Sequence, residues 1–211
     1  MSDISVLGIF VADISFSGSK IPSTGETILG DNYNIGPGGK GCNQAIAISR
    51  LGGKVNFISK LGNDDYGKLA IDKLKKNNID TSNIIISNKH KTGVAGIHVD
   101  RNTGKNAITV VRGAPSSLTV NEINTNLIKQ SKIFLTQLEI PIEVTLHFLK
   151  ASREYGLINI LNPAPACELS DDFFKLIDFF TPNETEAEFY TGVKINNEND
   201  AKVSAKKLID K

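Results

Sequence analysis

The chain predicts an α/β fold, a mostly parallel sheet flanked by helices with a small β appendage, and three observations carry that prediction. Residues 4–11, ISVLGIFV, are an almost continuous apolar run, too short for a typical helix and rich in β-branched residues, as expected of a strand buried on both faces. Beyond it, strand-like and helix-like stretches alternate along most of the chain, the pattern of parallel strands joined by crossover helices. Two stretches, 14–35 and 92–111, break the alternation with extended pieces and Gly/Pro/Asn turns.

Taken in order, Asp13 stands just past the end of the first strand, and residues 14–35 hold Pro22, Gly25 and Gly30 among short extended segments. CNQAIAISRLGG (42–53) reads as a helix with Ala45, Ile48 and Leu51 on one face and Gly52-Gly53 as its stop. VNFIS (55–59) is a second strand, DDYGKLAIDKLKKNN (64–78) a helix and NIIIS (83–87) a strand. TGVAGIHVDRNTGKNAITVV (92–111) is two strand-like runs around a Gly/Asn turn, a hairpin signature. TVNEINTNLIKQS (119–131) is expected to be a helix, KIFLTQ (132–137) a strand, and PIEVTLHFLKASREYG (141–156) a helix with Pro141 in its first turn. LINILN (157–162), DDFFKLI (171–177) and DFFTP (178–182) follow as strand, short helix and strand, then two helical stretches, the last reaching Lys211. Residues 1–211 are expected to form one α/β domain, with about 14–35 and 92–112 gathered as a β lid at the sheet edge. A chain of this class that closes on a helix with no strand after it is expected to lack its C-terminal part.

The 211 residues could bury roughly 70% of their unfolded surface. With 40% hydrophobic and 22% charged residues, and 24 basic against 23 acidic side chains, neither disorder nor a single-sign field is indicated. Nucleic acid is therefore not an expected partner, since phosphate backbones call for clustered positive charge. Cys42 and Cys167 lie in unrelated contexts, and His90, His98 and His147 form no metal-ligand spacing with them, so reduced thiols are expected. The N-terminus carries Asp3 rather than a basic segment, and no apolar run approaches the ~20 residues of a membrane span. A soluble, cytoplasmic protein with no membrane partner is the expectation.

The densest motif is GPGGKGCNQA (36–45). Gly36-x-Gly38-x-x-Gly41 matches the dinucleotide fingerprint literally, but that fingerprint follows directly on the first strand, and here about 25 residues intervene. A P-loop needs Gly-Lys followed by Ser or Thr, whereas Lys40 is followed by Gly41 and Cys42. What remains is a loop exposing backbone N–H groups, with Lys40 as a point charge and Asn43 as a two-way hydrogen-bonding amide at a helix start. Those groups suit a neutral polyhydroxylated ligand as well as an anion, and a plain glycine turn with Asn43 capping its own helix stays open as the lesser reading on the loop alone.

GGKGCNQAIAISRLGG (38–53) resembles the N-terminal signature of the ribokinase (PfkB) family of carbohydrate kinases. VADI (11–14), GET (25–27), LGNDDYG (61–67), TGVA (92–95), TQLEIP (136–141), NPAPA (162–166) and TPNETEAE (181–188) agree in order along nearly the whole chain. The resemblance implies a Rossmann-like, ribokinase-like sheet, truncated, with a β lid that closes over the sugar and pairs with a second copy as a homodimer. It implies ATP-dependent phosphorylation of the primary 5-hydroxyl of D-ribose, with Mg2+ as cofactor, ATP as cosubstrate and a monovalent cation such as K+ as a further candidate. By the same resemblance Asp13, Gly38, Gly39, Lys40, Gly41, Asn43 and Glu139 hold the sugar, Asn183 meets the nucleotide and Glu186 the magnesium. The residues admit other readings: Asp13 as a loop-opening acid, Glu139 as a first-turn acid favoured by the helix dipole, Asn183 with Glu186 as a capping box.

Two departures from the family pattern stand out. Val11 occupies the position where many of these kinases carry an asparagine, which puts the identity of the sugar in doubt among pentoses and nucleosides. The second signature, Asp-Thr-x-Gly-Ala-Gly-Asp, with its catalytic aspartate and anion hole, does not occur in the 211 residues, and the aspartate is expected beyond Lys211. The chain alone is therefore expected to be inactive, with a non-catalytic sugar-binding or dimerisation module as the alternative.

Overall fold

A computed structural model describes residues 2–211. In chain order its elements are β1 (Ile4–Leu7), β2 (Val11–Gly18), β3 (Asn32–Gly38), α1 (Lys40–Arg50), β4 (Val55–Gly62), α2 (Asp65–Lys76), β5 (Ile84–Ser87), β6 (Thr92–Asp100), β7 (Asn106–Gly113), β8 (Ile133–Gln137), α3 (Ile142–Glu154), β9 (Ile158–Asn162), α4 (Asp171–Phe174), β10 (Phe179–Phe180), α5 (Glu184–Thr191) and α6 (Glu198–Ile209). Six strands form one sheet in the order β10-β9-β8-β1-β4-β5, every pair parallel. A second sheet, β3-β2-β6-β7, is mixed: β2 and β6 run parallel, and each outer strand is antiparallel to its neighbour.

Side chains of the parallel sheet alternate between two apolar layers, as the two-residue strand period requires. Leu7, Ile58, Phe134 and Phe148 belong to one layer, and Val6, Phe57, Leu61 and Leu74 to the other. Each of these is 0% exposed.

Several expectations from the sequence are corrected. The run 4–11 is not one strand: β1 stops at Leu7 and the chain enters the second sheet at Val11. The apolar pattern hides the break because both sheets bury it, with Val6 to Ala12 buried throughout. Gly8 marks the break, where α1 approaches so closely that a Cβ would lie 2.8 Å from Gly41 Cα. Residues 119–131 form two single 3-10 turns, Val120–Glu122 and Thr125–Leu127, instead of a helix. Thr119 exchanges capping bonds with Glu122, and Asn124 Oδ1 accepts from the Asn126 N–H at 2.9 Å, so local side-chain bonds displace helical ones.

Helix α1 starts at Lys40, two residues early, its buried face includes Cys42, Ala45 and Ile46, and Leu51 is an 89% exposed C-cap. Pro141 is the N-cap of α3 with ψ 135, just outside the first turn, and its carbonyl accepts from the Val144 and Thr145 N–H groups at 3.1 Å. Among the described residues no helix is long and apolar enough to cross a membrane.

Candidate functional site

The site lies outside the carboxyl ends of the parallel strands, where open α/β sheets receive ligands. The second sheet supplies one wall. Asp13 does not follow a strand end as its sequence position suggests; it sits inside β2, paired with Gly36 on β3 and Ala95 on β6. Its half-buried carboxyl lies over Gly38, so that a Cβ on Gly38 would be 2.0 Å from Oδ1 and 2.2 Å from Cγ. Glycine at 38 is thus the condition for Asp13 to point where it does. Burial raises the Asp13 carboxyl above the usual carboxylate range.

Gly39 turns the chain into α1 with φ 89, a left-handed value that favours glycine, and a Cβ there would meet the Ile9 carbonyl at 2.5 Å. The helix therefore opens with no side-chain cap, and Asn43, on its first turn, stays exposed instead of capping it. Its backbone N–H bonds the Gly39 carbonyl at 2.9 Å. The Lys40 N–H donates to Glu139 Oε2 at 2.8 Å, which binds the glycine loop to the segment after β8. Burial pushes the Glu139 carboxyl up; the Lys40 N–H and the charges of Lys40 and Arg112 act against this, and the charge of Asp13 adds to it. Asp13, the 38–41 loop and Glu139 therefore form one constellation, two half-buried carboxylates beside the glycine loop, suited to accepting hydrogen bonds from vicinal hydroxyls.

Asn183 and Glu186 lie at the other end of the strand row, after β10. They form a full capping box on α5: Asn183 Oδ1 accepts from the Glu186 N–H at 2.8 Å, and Glu186 Oε2 from the Asn183 N–H at 2.9 Å. Asn183 is exposed and borders a groove of about 1000 Å³ with Phe180, Pro182, Ala201 and Leu208, while Glu186 is buried. No group of three or more His, Cys, Asp or Glu side chains that could cage a metal occurs among the described residues. Cys42 is buried beneath the loop and its thiol is pushed up to about 12 by burial, with the charge of Asp13 adding to the shift, so it is not a nucleophile.

Residues that sequence reasoning did not single out also gather here. Arg112, on β7, lies close enough for its charge to act on the Glu139 carboxyl. Gln44, Gln137 and Asn162 join side chains across the strand ends. The available signal was polar amides at the ends of apolar strands, but only the strand register identifies which of them meet.

A family model described as pfkB family carbohydrate kinase matches residues 1–211. The chain is 40% identical over 210 residues to the ribokinase of Haemophilus influenzae, covering 99% of this chain and 68% of that protein. It is 36% identical over 209 residues to the ribokinase of Mus musculus (98% and 64%) and 34% identical over 212 residues to the deoxyribokinase of Salmonella typhi (99% and 69%). It thus spans about two thirds of the length of these relatives. Among solved structures, Arabidopsis thaliana ribokinase complexed with ribose and ATP superposes with a TM-score of 0.87 at 27% identity, covering 99% of this chain and 69% of that one. Giardia lamblia ribokinase matches with a TM-score of 0.87 at 26% identity, covering 100% and 67%. With its whole length matched by the family model and its parallel sheet, second sheet and glycine loop in this arrangement, the chain belongs to the pfkB family of carbohydrate kinases.

Proposed function

We propose that this chain is the sugar-holding part of an ATP-dependent kinase that phosphorylates the 5-hydroxyl of D-ribose. The observation that carries the reading is the constellation of Asp13 over Gly38 with Glu139 on the Lys40 N–H, two carboxylates half-withdrawn from water and facing a glycine loop. Asp13 and Glu139 accept hydrogen bonds from ring hydroxyls, Gly38, Gly39 and Gly41 let the loop backbone come close, and the exposed Asn43 amide adds a further contact. Isothermal titration calorimetry with D-ribose tests this reading.

Asn183 receives the nucleotide phosphates at the start of α5, where N–H groups and the helix dipole favour an anion. Glu186 would hold magnesium through water. A single carboxylate with one oxygen committed to the Asn183 N–H fits an ion that keeps most of its hydration shell, and does not fit a direct cage. When bound with ATP, magnesium neutralises charge on the phosphates. The 211 residues contain no Asp-Thr-x-Gly-Ala-Gly-Asp. They are expected to bind ribose yet to phosphorylate it at background rate in a coupled ADP-release assay, since a general base contributes about 10²- to 10⁴-fold.

Because both site carboxyls are raised by burial, and only the ionised forms accept two hydroxyls, ribose affinity should fall as pH drops, at a higher pH than ordinary carboxylates would dictate. Calorimetric titrations between about pH 4 and 8 read this limb directly. A competing sugar is 2-deoxyribose, favoured by one observation. Val11 is 3% exposed and shares a strand face with Asp13, so it offers an apolar wall where a hydroxyl would want a partner. Affinity for the two sugars in parallel titrations decides between them.

The second sheet acts as a lid and as the contact between two copies. Phe16, Tyr33, Ile108, Val110 and Val111 are exposed on it, and β7 is an edge strand with Asn106 to Arg112 all exposed. Sedimentation velocity should report a dimer that Val111→Lys converts to monomer.

A further inference from the structure

Three side-chain amides form a continuous hydrogen-bonded chain across the carboxyl ends of the strands. Gln137, the last residue of β8, donates from Nε2 to Gln44 Oε1. Gln44, near the start of α1, donates from Nε2 to Asn162 Oδ1 at 3.4 Å. Asn162, the last residue of β9, donates from Nδ2 to the Thr181 carbonyl at 3.0 Å. One end therefore touches the sugar constellation, since Gln44 follows Asn43 and Gln137 lies two residues before Glu139. The other end reaches the backbone two residues before Asn183.

The polarity of all three amides follows from Thr181. A backbone carbonyl only accepts, so Asn162 must turn its NH2 toward it; its oxygen then faces Gln44, which must present NH2, and Gln137 must do the same. The cost falls at the far end. Gln137 is 1% exposed, and its Oε1 has no hydrogen-bond partner among the described residues. That oxygen is wedged between Gly8 and Gly41, whose Cβ atoms, if present, would lie 2.3 Å and 2.9 Å from it. Reversing the chain would satisfy Gln137 Oε1 with Gln44 Nε2, but it would set Asn162 Oδ1 against the Thr181 carbonyl, oxygen to oxygen, and would leave the Gln137 NH2 in the wedge between Gly8 and Gly41. The chain thus has one favoured orientation, with its defect at the glycine-loop end, and head-to-tail polarisation makes the three amides act together. Any movement of the 39–41 loop changes the fit around the orphaned oxygen and, through the shared hydrogen bonds, the hold on the Thr181 peptide.

We infer that Gln44 and Asn162 are positioning residues that couple sugar occupancy at the 38–43 loop to the backbone at Thr181–Glu186. The coupling element is a contiguous chain of hydrogen bonds with its unsatisfied end at the glycine loop, rather than a path of mere proximity. It rests on the proposed reading of the two ends as sugar and nucleotide sites.

Hydrogen exchange on this chain, with and without saturating D-ribose, tests it. The reporters are the Asn183, Glu186 and Ala187 amides, whose partners are Glu186 Oε2, Asn183 Oδ1 and the Asn183 carbonyl. In the wild type, ribose should change their exchange about fivefold or more. Gln44→Met keeps volume and removes both hydrogen bonds of the central amide; Asn162→Ala cuts the chain at its other joint. Both variants should still bind ribose by calorimetry while the change at residues 183–187 disappears. A variant that binds ribose and keeps the full wild-type change overturns the coupling, as does a wild type that binds ribose without any change there. If one variant fails to fold by circular dichroism, the other decides. A wild type that binds no ribose would overturn the proposed function itself, and the coupling with it.

Discussion

Gly38→Ala is expected to weaken ribose binding by roughly 1 to 3 kcal/mol, as much as deleting the Asp13 carboxylate, with little change in melting temperature. The new methyl would fall 2.0 Å from Asp13 Oδ1, 2.2 Å from Cγ and 2.3 Å from Oδ2, its three nearest heavy atoms. No positive φ is involved at Gly38, so the backbone tolerates alanine and the carboxylate must swing away. The loss is therefore one of aim, not of fold. Calorimetry on Gly38→Ala, Asp13→Ala and the double variant distinguishes this from a general loosening of the loop. The two losses should be strongly non-additive, the double variant binding about as weakly as Asp13→Ala alone. Additive losses would mean that Gly38 contributes by some route other than making room for Asp13.

Glu122→Ala is expected to destabilise the chain by about 2 to 4 kcal/mol, read by urea unfolding. Lys60 on β4 is 5% exposed, and its ammonium is held by Glu122 Oε1 at 2.6 Å and the Ser117 carbonyl at 3.1 Å. Removing the carboxylate leaves a buried charge on one carbonyl. The figure is set below that for fully enclosed pairs because the Glu122 side chain remains 33% exposed. Lys60→Met with Glu122→Ala should recover most of the loss, since an apolar pair carries no desolvation penalty. The pH dependence has a definite sign. The Lys60 hydrogen bond, aided by Thr119 against the opposing effect of burial, holds the Glu122 carboxyl below the usual glutamate range. A depressed carboxyl stabilises above its unfolded pKa and loses that contribution as pH falls through the folded one. The gap between wild type and Glu122→Ala should therefore be full at neutral pH and close below the ordinary glutamate range, around pH 4.

The parallel sheet was legible because its strands are buried on both faces and its helices are long and periodic. The second sheet was legible only as an interruption. The start of its first strand is masked by the apolar run 4–11, because Ile9, Phe10 and Val11 are as buried in the passage between sheets as Val6 and Leu7 are in β1. That concealment also misplaced Asp13, which reads as a residue beyond a strand and proves to be inside one. The 119–131 segment misled for a different reason: Glu122 and Asn124 spend their side chains on the neighbouring backbone N–H groups of Thr119 and Asn126, which a helical apolar period does not register.

In the site, the glycine loop and both carboxylates could be picked from their residue types and motifs. The reason for Gly38 could not, since the contact with Asp13 exists only once β3 pairs with β2 in register. The capping box at Asn183 and Glu186 was legible as local spacing alone. The amide chain was not, because its members lie far apart in sequence, |i−j| being 93 for Gln44 with Gln137 and 118 for Gln44 with Asn162.

The proposed sugar site rests on the two carboxylates, and the most direct measurement is calorimetric titration of D-ribose into the wild-type chain, Asp13→Ala and Glu139→Gln at neutral pH. The wild type should bind in a saturable one-to-one manner. Each variant should lose roughly 1 to 3 kcal/mol of binding free energy, because each removes a hydrogen-bonding partner of a buried hydroxyl. Ribose binding of unchanged affinity in both variants would contradict it.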